Sequence, residues 1–212
     1  GADWFALQEV LIEREYEALL PFLAGAAPPV VLDLGANIGA FATFLLANRR
    51  DAVVHSYEPA SATCRLLARN AMRNPGVDWR TVQAAAWSCD GSIAFTGAAA
   101  STAGHVAAGG GETVPALSLA SIIARAGGRI DLAKIDIEGA EEALLAGRAS
   151  ELALVETVAV ELHPDRCDAS RVAAELRQSY GTLYRIPGRR SSKPLVLATR
   201  APRPPALPLS TP

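Results

Sequence analysis

Short apolar runs alternate with amphipathic stretches along the first half of the chain. Apolar positions between Trp4 and Leu23 recur with helical spacing, which predicts an amphipathic helix. The run "PPVVLDL" is bounded by prolines and a glycine and predicts a buried strand, and a helical pattern follows it. The order is repeated by a predicted strand, helix and third strand in "DAVVHSYEP", "ASATCRLLARNAMRN" and "GVDWRTVQAAAW".

The alternation is interrupted between Gly91 and Leu117. A short strand is expected at Ile93 to Thr96, and residues 97–112 then form a Gly, Ala and Ser segment without periodicity, which is interpreted either as a lid over substrate or as a linker. The alternation then returns. The predicted elements are a helix from Ser118 to Ala126, strand "IDLAKIDI", helix "GAEEALLAGR", strand "VETVAVELH", helix "ASRVAAELRQSYG" and an antiparallel hairpin of "TLYRIP" with "PLVLATR".

Strands that alternate with helices at this spacing are typical of β-α-β units. The predicted fold is therefore α/β, with a mostly parallel sheet, helices on both faces and an antiparallel finish. A chain of 212 residues is long enough for one core and short for two. We expect an N-terminal helix within residues 1–25 that packs on or caps a core domain of residues 26–200, and a disordered proline-rich tail at residues 201–212.

Composition and charge narrow the classes of function. The net charge of -2 gives no electrostatic basis for binding nucleic acid, and no stretch approaches 18 uninterrupted apolar residues, so no membrane partner is expected. The three cysteines are widely spaced and form neither a disulfide framework nor a C-x-x-C metal site. A cytoplasmic location fits best, and the sequence leaves open whether the chain forms a homodimer.

The end of the first strand, "VVLDLGANIG", carries the first candidate binding site. The dinucleotide fingerprint G-x-G-x-x-G fails here because Asn37 and Ala40 occupy two of the three glycine positions, which disfavours a pyrophosphate and an NAD-dependent oxidoreductase. Asp33 would repel a diphosphate but suits a cation or an ammonium group, directly or through water. S-adenosylmethionine carries an amino group and a sulfonium. Glu58, at the end of the next strand, suits both hydroxyls of a ribose, although a surface carboxylate is the alternative.

The segments "VVLDLGANIG", "YEP", "AKIDIEGAE" and "VAVELHP", in this order, resemble the FkbM-type S-adenosylmethionine-dependent methyltransferases. The resemblance covers roughly Val30 to His163. It implies a Rossmann-like class I methyltransferase fold with seven strands, the last antiparallel, and O-methylation of small metabolites or sugars. In "ALSLASII" this chain has Ala120 where family members often have an aspartate, so that acid has no role here. We expect the cofactor to contact Asp33, Gly35, Asn37, Gly39, Glu58, Ala86 and Asp136.

Methyl transfer is an SN2 displacement, for which an enzyme needs alignment and a group that removes the acceptor's proton. Lys134, Asp136 and Glu138 occupy alternate positions at the end of one predicted strand and share a side if the strand persists that far. Glu161 and His163 have the same relation on the next strand. We predict that Asp136 lines the methyl-donor site and that His163 or Glu161 is the general base. The alternative is a buried Lys134–Glu161 ion pair, with His163 only capping a strand.

Further candidates have simpler interpretations. These carboxylates and the histidine could hold Mg²⁺, but they lack ligand-spaced motifs and no metal is predicted. Trp87 is expected in the core beside Ala86, and His105 in a solvated loop. The predicted function is O-methylation of a small-molecule acceptor. N-methylation remains an alternative, although the D/N-P-P-Y/F tetrapeptide is absent, and a non-catalytic cofactor-binding subunit of the same fold is a third.

Overall fold

The computed structural model describes residue 4 and residues 7–25, 28–96, 105–106, 111–186 and 193–201, and only the backbone of residues 105–106. Eleven strands and six α-helices occur in these ranges. In chain order the elements are β1 (Val30–Leu34), α1 (Ala40–Asn48), β2 (Val53–Tyr57), α2 (Ser61–Met72), β3 (Asp78–Val82), β4 (Ala85–Ala86), β5 (Gly91–Thr96), β6 (His105–Val106), β7 (Glu112–Leu117), α3 (Leu119–Arg125), β8 (Ile130–Ile135), α4 (Glu141–Leu145), α5 (Ala149–Leu152), β9 (Val155–Glu161), α6 (Ala169–Tyr180), β10 (Leu183–Ile186) and β11 (Leu195–Thr199).

The central sheet has seven strands in the order β10-β11-β9-β8-β1-β2-β3. Strands β9, β8, β1, β2 and β3 pair in parallel, whereas β11 is antiparallel to both β9 and β10. The predicted hairpin is thus β10 with β11. The α/β fold class, with its mostly parallel sheet and antiparallel finish, is confirmed.

Two apolar clusters cover the two faces of this sheet. One contains residues of helices α3 to α6. The other joins α1 and the N-terminal segment to residues of β1, β2, β8 and β9, such as Val31, Val54, Leu132 and Ala159. Because side chains alternate along a strand, polar residues two positions beyond these, including Asp33 and Lys134, extend the second face toward the strand ends.

The N-terminal segment differs from the prediction of one amphipathic helix. The described residues form a short π-helical segment (Gln8–Ile12) and a 3₁₀ helix (Glu17–Leu23), separated by Arg14 in the left-handed region at φ 54°. Pro21 lies in the second segment, where it has no N–H for a helical hydrogen bond. Tyr16, Leu19 and Leu23 are nevertheless buried against the sheet, so the segment packs on the core.

The described residues between Gly91 and Leu117 form strands that the sequence pattern predicts only in part. A second sheet has the order β4-β7-β5-β6, and its apolar cluster includes Phe95 and Val114. The expected strand at Ile93 to Thr96 is present as β5, but β7 was not predicted because Pro115, which cannot donate to a strand ladder, interrupts its apolar pattern. Most of the predicted lid or linker, residues 97–104 and 107–110, lies outside the described residues.

The predicted third strand is also divided. Its first half is β3 at the edge of the central sheet, and its second half is β4, which pairs in parallel with β7 in the small sheet. Gln83 and Ala84 separate the two halves. The chain therefore leaves the central sheet at this point and carries Ala86 into the second sheet.

Candidate functional site

The loop from Gly35 to Gly39 connects β1 to α1 and is fixed by its backbone. The N–H groups of Gly35 and Ala36 both donate to the carbonyl oxygen of Tyr57, at 3.1 and 2.9 Å. Gly35 has φ 76°, and a Cβ atom placed on it would lie 1.8 Å from the carbonyl oxygen of Asp136. A side chain is therefore excluded at Gly35, and the loop lies directly against the end of β8.

Asp33 stabilises this loop through Lys134. Its carboxylate is fully buried, 3.3 Å from the Lys134 ammonium, and accepts a hydrogen bond from the Ser56 hydroxyl. Lys134 also donates to the carbonyl oxygen of Gly35 at 2.9 Å. Burial alone would lower the pKa of Lys134, but the charges of Asp33 and Asp136 raise it above its ordinary value. In the structure Asp33 therefore contacts Lys134 and Ser56, and its contact with the cofactor stays a prediction.

Glu58 follows β2 and faces the same loop. Its two carboxylate oxygens accept hydrogen bonds from the N–H groups of Asn37 and Ala60, each at 3.0 Å. Burial raises its pKa to about 7, although both hydrogen bonds oppose this rise. Asn37 has φ 52°, and its buried Oδ1 has no hydrogen-bond partner among the described residues. Glu58 therefore binds the backbone of the loop, and Oδ1 of Asn37 is an acceptor of the same loop that no described residue uses.

Asp136 lies between this loop and the side chain of His163. Its N–H donates to the carbonyl oxygen of Leu34, which joins the end of β8 to the end of β1. Its carboxylate lies 3.7 Å from the Lys134 ammonium and 3.8 Å from Nε2 of His163. The strand order confirms that β8 neighbours both β1 and β9, as the predicted cluster requires.

His163 is fully buried, and one acid holds its ring. Nδ1 lies 2.9 Å from Oε1 of Glu141, which also accepts hydrogen bonds from the N–H groups of Ile137 and Gly139. Burial alone would lower the pKa of His163, but Glu141 and Asp136 raise it above its ordinary value. The hydrogen bond from His163 in turn lowers the pKa of Glu141 despite its burial. Nε2 faces the acidic groups.

Glu161 ends β9 at the other side of this cluster. Its Oε1 lies 3.7 Å from Nε2 of His163 and 3.9 Å from the Lys193 ammonium. Burial, and secondarily the charge of Asp136, raises its pKa to about 9. The predicted alternative of a Lys134–Glu161 ion pair is wrong, because the carboxylates within 4.0 Å of Lys134 in the described chain are those of Asp33 and Asp136.

Three residues of this site were not predicted as site residues. Glu141 holds His163, and Lys193 and Arg166 both contact the carboxylate of Glu138, which has φ 52° and precedes Gly139. The two left-handed residues at Glu138 and Gly139 form the turn after β8 that directs Glu141 back toward His163. A non-glycine residue before a glycine at a strand end is a weak sequence signal for such a turn.

Gly39 and Ala86 have different surroundings. Gly39 precedes α1 with φ 90°, and a Cβ atom there would lie 2.5 Å from the ring of Trp79, so this glycine fits a packing constraint. Ala86 lies in the same apolar cluster as Leu34 and Tyr57, the last residues of β1 and β2. Its predicted contact with the adenine of the cofactor stays a prediction.

Sequence comparison identifies the family. The profile described as "Methyltransferase FkbM domain" matches residues 33–183, which span the loop, Glu58, Asp136 and His163. The chain belongs to the FkbM methyltransferase family. The expected family is confirmed, as are the methyltransferase activity and S-adenosylmethionine as the cofactor. No curated protein sequence is significantly similar to this FkbM chain.

Solved structures that match at a TM-score above 0.5 share the fold at low sequence identity. Magnesium protoporphyrin IX methyltransferase (ChlM) from Synechocystis PCC 6803, with bound SAM, matches at TM-score 0.56 and 11% identity, over 93% of this chain and 81% of that one. The N-terminal domain of EvdMO1, with SAH bound, matches at TM-score 0.51 and 13% identity. This match covers 88% of this chain and 79% of that one. WbdD matches at TM-score 0.48 and 17% identity. This match covers 89% of this FkbM chain but only 40% of the WbdD chain. No helix in the described ranges has the length and apolar character to cross a membrane.

Proposed function

We propose that this FkbM chain transfers a methyl group to a hydroxyl of a small metabolite or sugar. The observation that carries the proposal is the position of Asp136. Its backbone meets Gly35 of the loop, and its carboxylate lies 3.8 Å from Nε2 of His163. One residue therefore joins the predicted donor site to a group of proton acceptors.

The residues of the loop fit S-adenosylmethionine. The carboxylate of Glu58 and the unpaired Oδ1 of Asn37 suit hydroxyl and amino donors. We assign the ribose hydroxyls to Glu58 and the amino acid end to the loop next to Asp136. When bound, S-adenosylmethionine supplies a methyl group on a sulfonium, which needs no covalent enzyme nucleophile.

The protein's own contribution is to position the acceptor and take its proton. Glu141 holds the ring of His163 through Nδ1, so that Nε2 is directed toward Asp136 and Glu161. His163 or Glu161 accepts the proton of the acceptor hydroxyl while its oxygen attacks the methyl carbon. Lys134 keeps Asp136 in place through an ion pair of 3.7 Å. A cytoplasmic location is part of the proposal and is supported by three free cysteines.

The test is methyl transfer from labelled S-adenosylmethionine to a panel of hydroxylated sugars and phenols and their amine analogues, with products located by NMR. The expected product carries the methyl group on oxygen. Asp136→Asn is expected to lower kcat by at least about 100-fold, which is the usual scale for losing part of a proton-transfer arrangement. Glu156→Gln, on the same strand as Glu161 but at its far end, is the control.

Two outcomes would contradict the proposal. Methylation of the amines alone would move the activity to nitrogen. An unchanged rate in a folded Asp136→Asn variant would remove Asp136 from the active site. Calorimetry with S-adenosylmethionine on each variant separates lost binding from lost transfer.

A further inference from the structure

Three side chains of the cluster offer atoms that converge on one point. One ligand atom each from Asp136, Glu161 and His163 lies within 4.8 Å of the other two. Nε2 of His163 is 3.8 Å from Oδ1 of Asp136 and 3.7 Å from Oε1 of Glu161, and Oε2 of Glu138, whose carboxylate is paired with Arg166 and Lys193, lies 3.3 Å away. These residues follow β8 and β9, whose ends lie side by side in the sheet.

Two of these atoms are buried without a hydrogen-bond partner among the described residues, namely Nε2 of His163 and Oδ1 of Asp136. His163 itself is fully buried. A buried polar atom that forms no hydrogen bond is costly, and a bound ion is one of the few features that account for it. Lone pairs that face one another in this way attract a cation.

The ring of His163 is oriented in a way that is common among histidines that bind metals. Glu141 lies 2.9 Å from Nδ1, so the proton of the neutral ring belongs on Nδ1 and the lone pair of Nε2 faces the cluster. Histidines that bind metals commonly donate their other ring N–H to a carboxylate, which fixes the tautomer and the ring orientation. Cys167 also donates to Glu141, at 3.3 Å, and holds that carboxylate.

We propose that Asp136, Glu161 and His163 bind one divalent transition-metal cation, for which Mn²⁺ is the best probe. Carboxylates suit Mn²⁺, and an imidazole nitrogen favours a first-row transition metal over Mg²⁺ or Ca²⁺. Adjacent ligands of an ion at about 2.1 Å lie about 3 Å apart, so the two carboxylates need to move inward by less than about 1 Å. Both are partly exposed ends of strands and have room to do so.

The binding does not depend on the proposed function, but its catalytic role rests on it. A cation lowers the pKa of a hydroxyl that coordinates it, which would activate the acceptor oxygen. Nε2 of His163 cannot hold the ion and accept a proton together, so with metal bound the base is the carboxylate oxygen of Glu161 that does not contact the ion.

The test is titration of the purified chain with Mn²⁺, followed by the loss of the EPR signal of the free ion. One ion per chain is expected. Asp136→Asn and Glu161→Gln should each raise the Kd for Mn²⁺ at least about tenfold, because each removes one charged ligand. Glu156→Gln makes the same charge change on β9 outside the cluster and should leave the Kd unchanged.

Failure of this inference is distinct from failure of the proposed function. Absence of Mn²⁺ binding, equal binding by all variants, or a His163 that is an imidazolium with Mn²⁺ present would overturn the cation site. His163→Gln, checked for folding by circular dichroism, should also lose the ion. Calorimetry with S-adenosylmethionine runs in parallel: a chain that binds Mn²⁺ but not S-adenosylmethionine keeps the cation site and loses the methyl-transfer proposal.

Discussion

Glu58 combines burial with two backbone hydrogen bonds, and the protonation state of its carboxyl group controls what it can accept. Because the pKa of Glu58 is about 7, its carboxyl group is largely protonated at pH 6. Both of its oxygens act as hydrogen-bond acceptors only above neutral pH. We expect the affinity for S-adenosylmethionine to rise with pH toward 7 by up to about tenfold per unit, as one linked proton allows. Isothermal calorimetry between pH 5.5 and 8.5 measures this.

Glu58→Gln tests the assignment. The amide should weaken binding of S-adenosylmethionine by about 10- to 100-fold at pH 8, the cost of losing hydrogen bonds to a charged group, and should abolish the pH dependence. Asp51→Asn, on the exposed turn before β2, is the control. A pH dependence that survives in Glu58→Gln would assign it to another group.

Gly35 carries a steric constraint that a matched glycine can isolate. Gly35 and Gly147 have nearly the same φ, 76° and 71°, but a Cβ atom at Gly35 would meet the carbonyl oxygen of Asp136 whereas Gly147 has nothing within 4 Å. Gly147→Ala should cost about 1 to 2 kcal/mol for the left-handed backbone alone. Gly35→Ala should cost more than about 4 kcal/mol or prevent folding, as measured by urea denaturation. Equal costs would show that the loop yields.

Individual strand-end acids could be predicted from sequence, but their partners could not. Asp33, Glu58, Asp136 and Glu161 each follow an apolar run, and parallel strands bring such ends to one edge of a sheet. The pairing of Lys134 with Asp33 instead of Glu161 depends on strand register, which the sequence does not state. Glu141 reaches His163 only through a left-handed turn.

At the scale of elements, α6 begins with a capping residue whose effect is measurable. Oδ1 of Asp168 accepts a hydrogen bond from the N–H of Arg171 at 3.0 Å, and helix Ala169–Tyr180 packs Val172 and Leu176 into the core. Asp168→Ala should lower the free energy of unfolding by about 1 kcal/mol, which is typical for loss of such a cap. Asp165→Ala, an exposed acid in the preceding loop, should change it by less than about 0.5 kcal/mol in the same denaturation assay.

The central elements could be predicted because apolar periodicity and strand length agree there. Strands β1, β2, β8 and β9 all read as short apolar runs, and they form the middle of the sheet. The N-terminal segment kept helical periodicity but is broken at Arg14, since tertiary packing of Tyr16 and Leu19 outweighs helix propensity. Strand β7 was missed because its burial comes from pairing with β5, a contact between distant segments.

For the whole molecule, the topology concentrates buried ionisable groups at one edge of the sheet. Burial raises the pKa of Glu58 to about 7 and of Glu161 to about 9, and Glu141 and Asp136 raise that of His163. In each case the folded chain binds a proton more tightly than the unfolded chain does, so the stability that this proton provides is lost as the pH rises. Burial lowers the pKa of His55, which has the opposite effect, but only below its ordinary value of 6.5.

The ligand-free chain should therefore become less stable between pH 6.5 and 9. Carboxylates with lowered pKa values, such as Glu141, are fully ionised throughout this range, so their contribution to the free energy of unfolding is constant. We expect the Tm to fall across this range in thermal melts followed by circular dichroism. Glu161→Gln should reduce the fall, because an amide carries no charge to desolvate at high pH, and Glu156→Gln should not. A Tm that rises from pH 6.5 to 9 would mean that the cluster is ionised and stabilised by its cationic neighbours Lys134 and Lys193 already in the free protein.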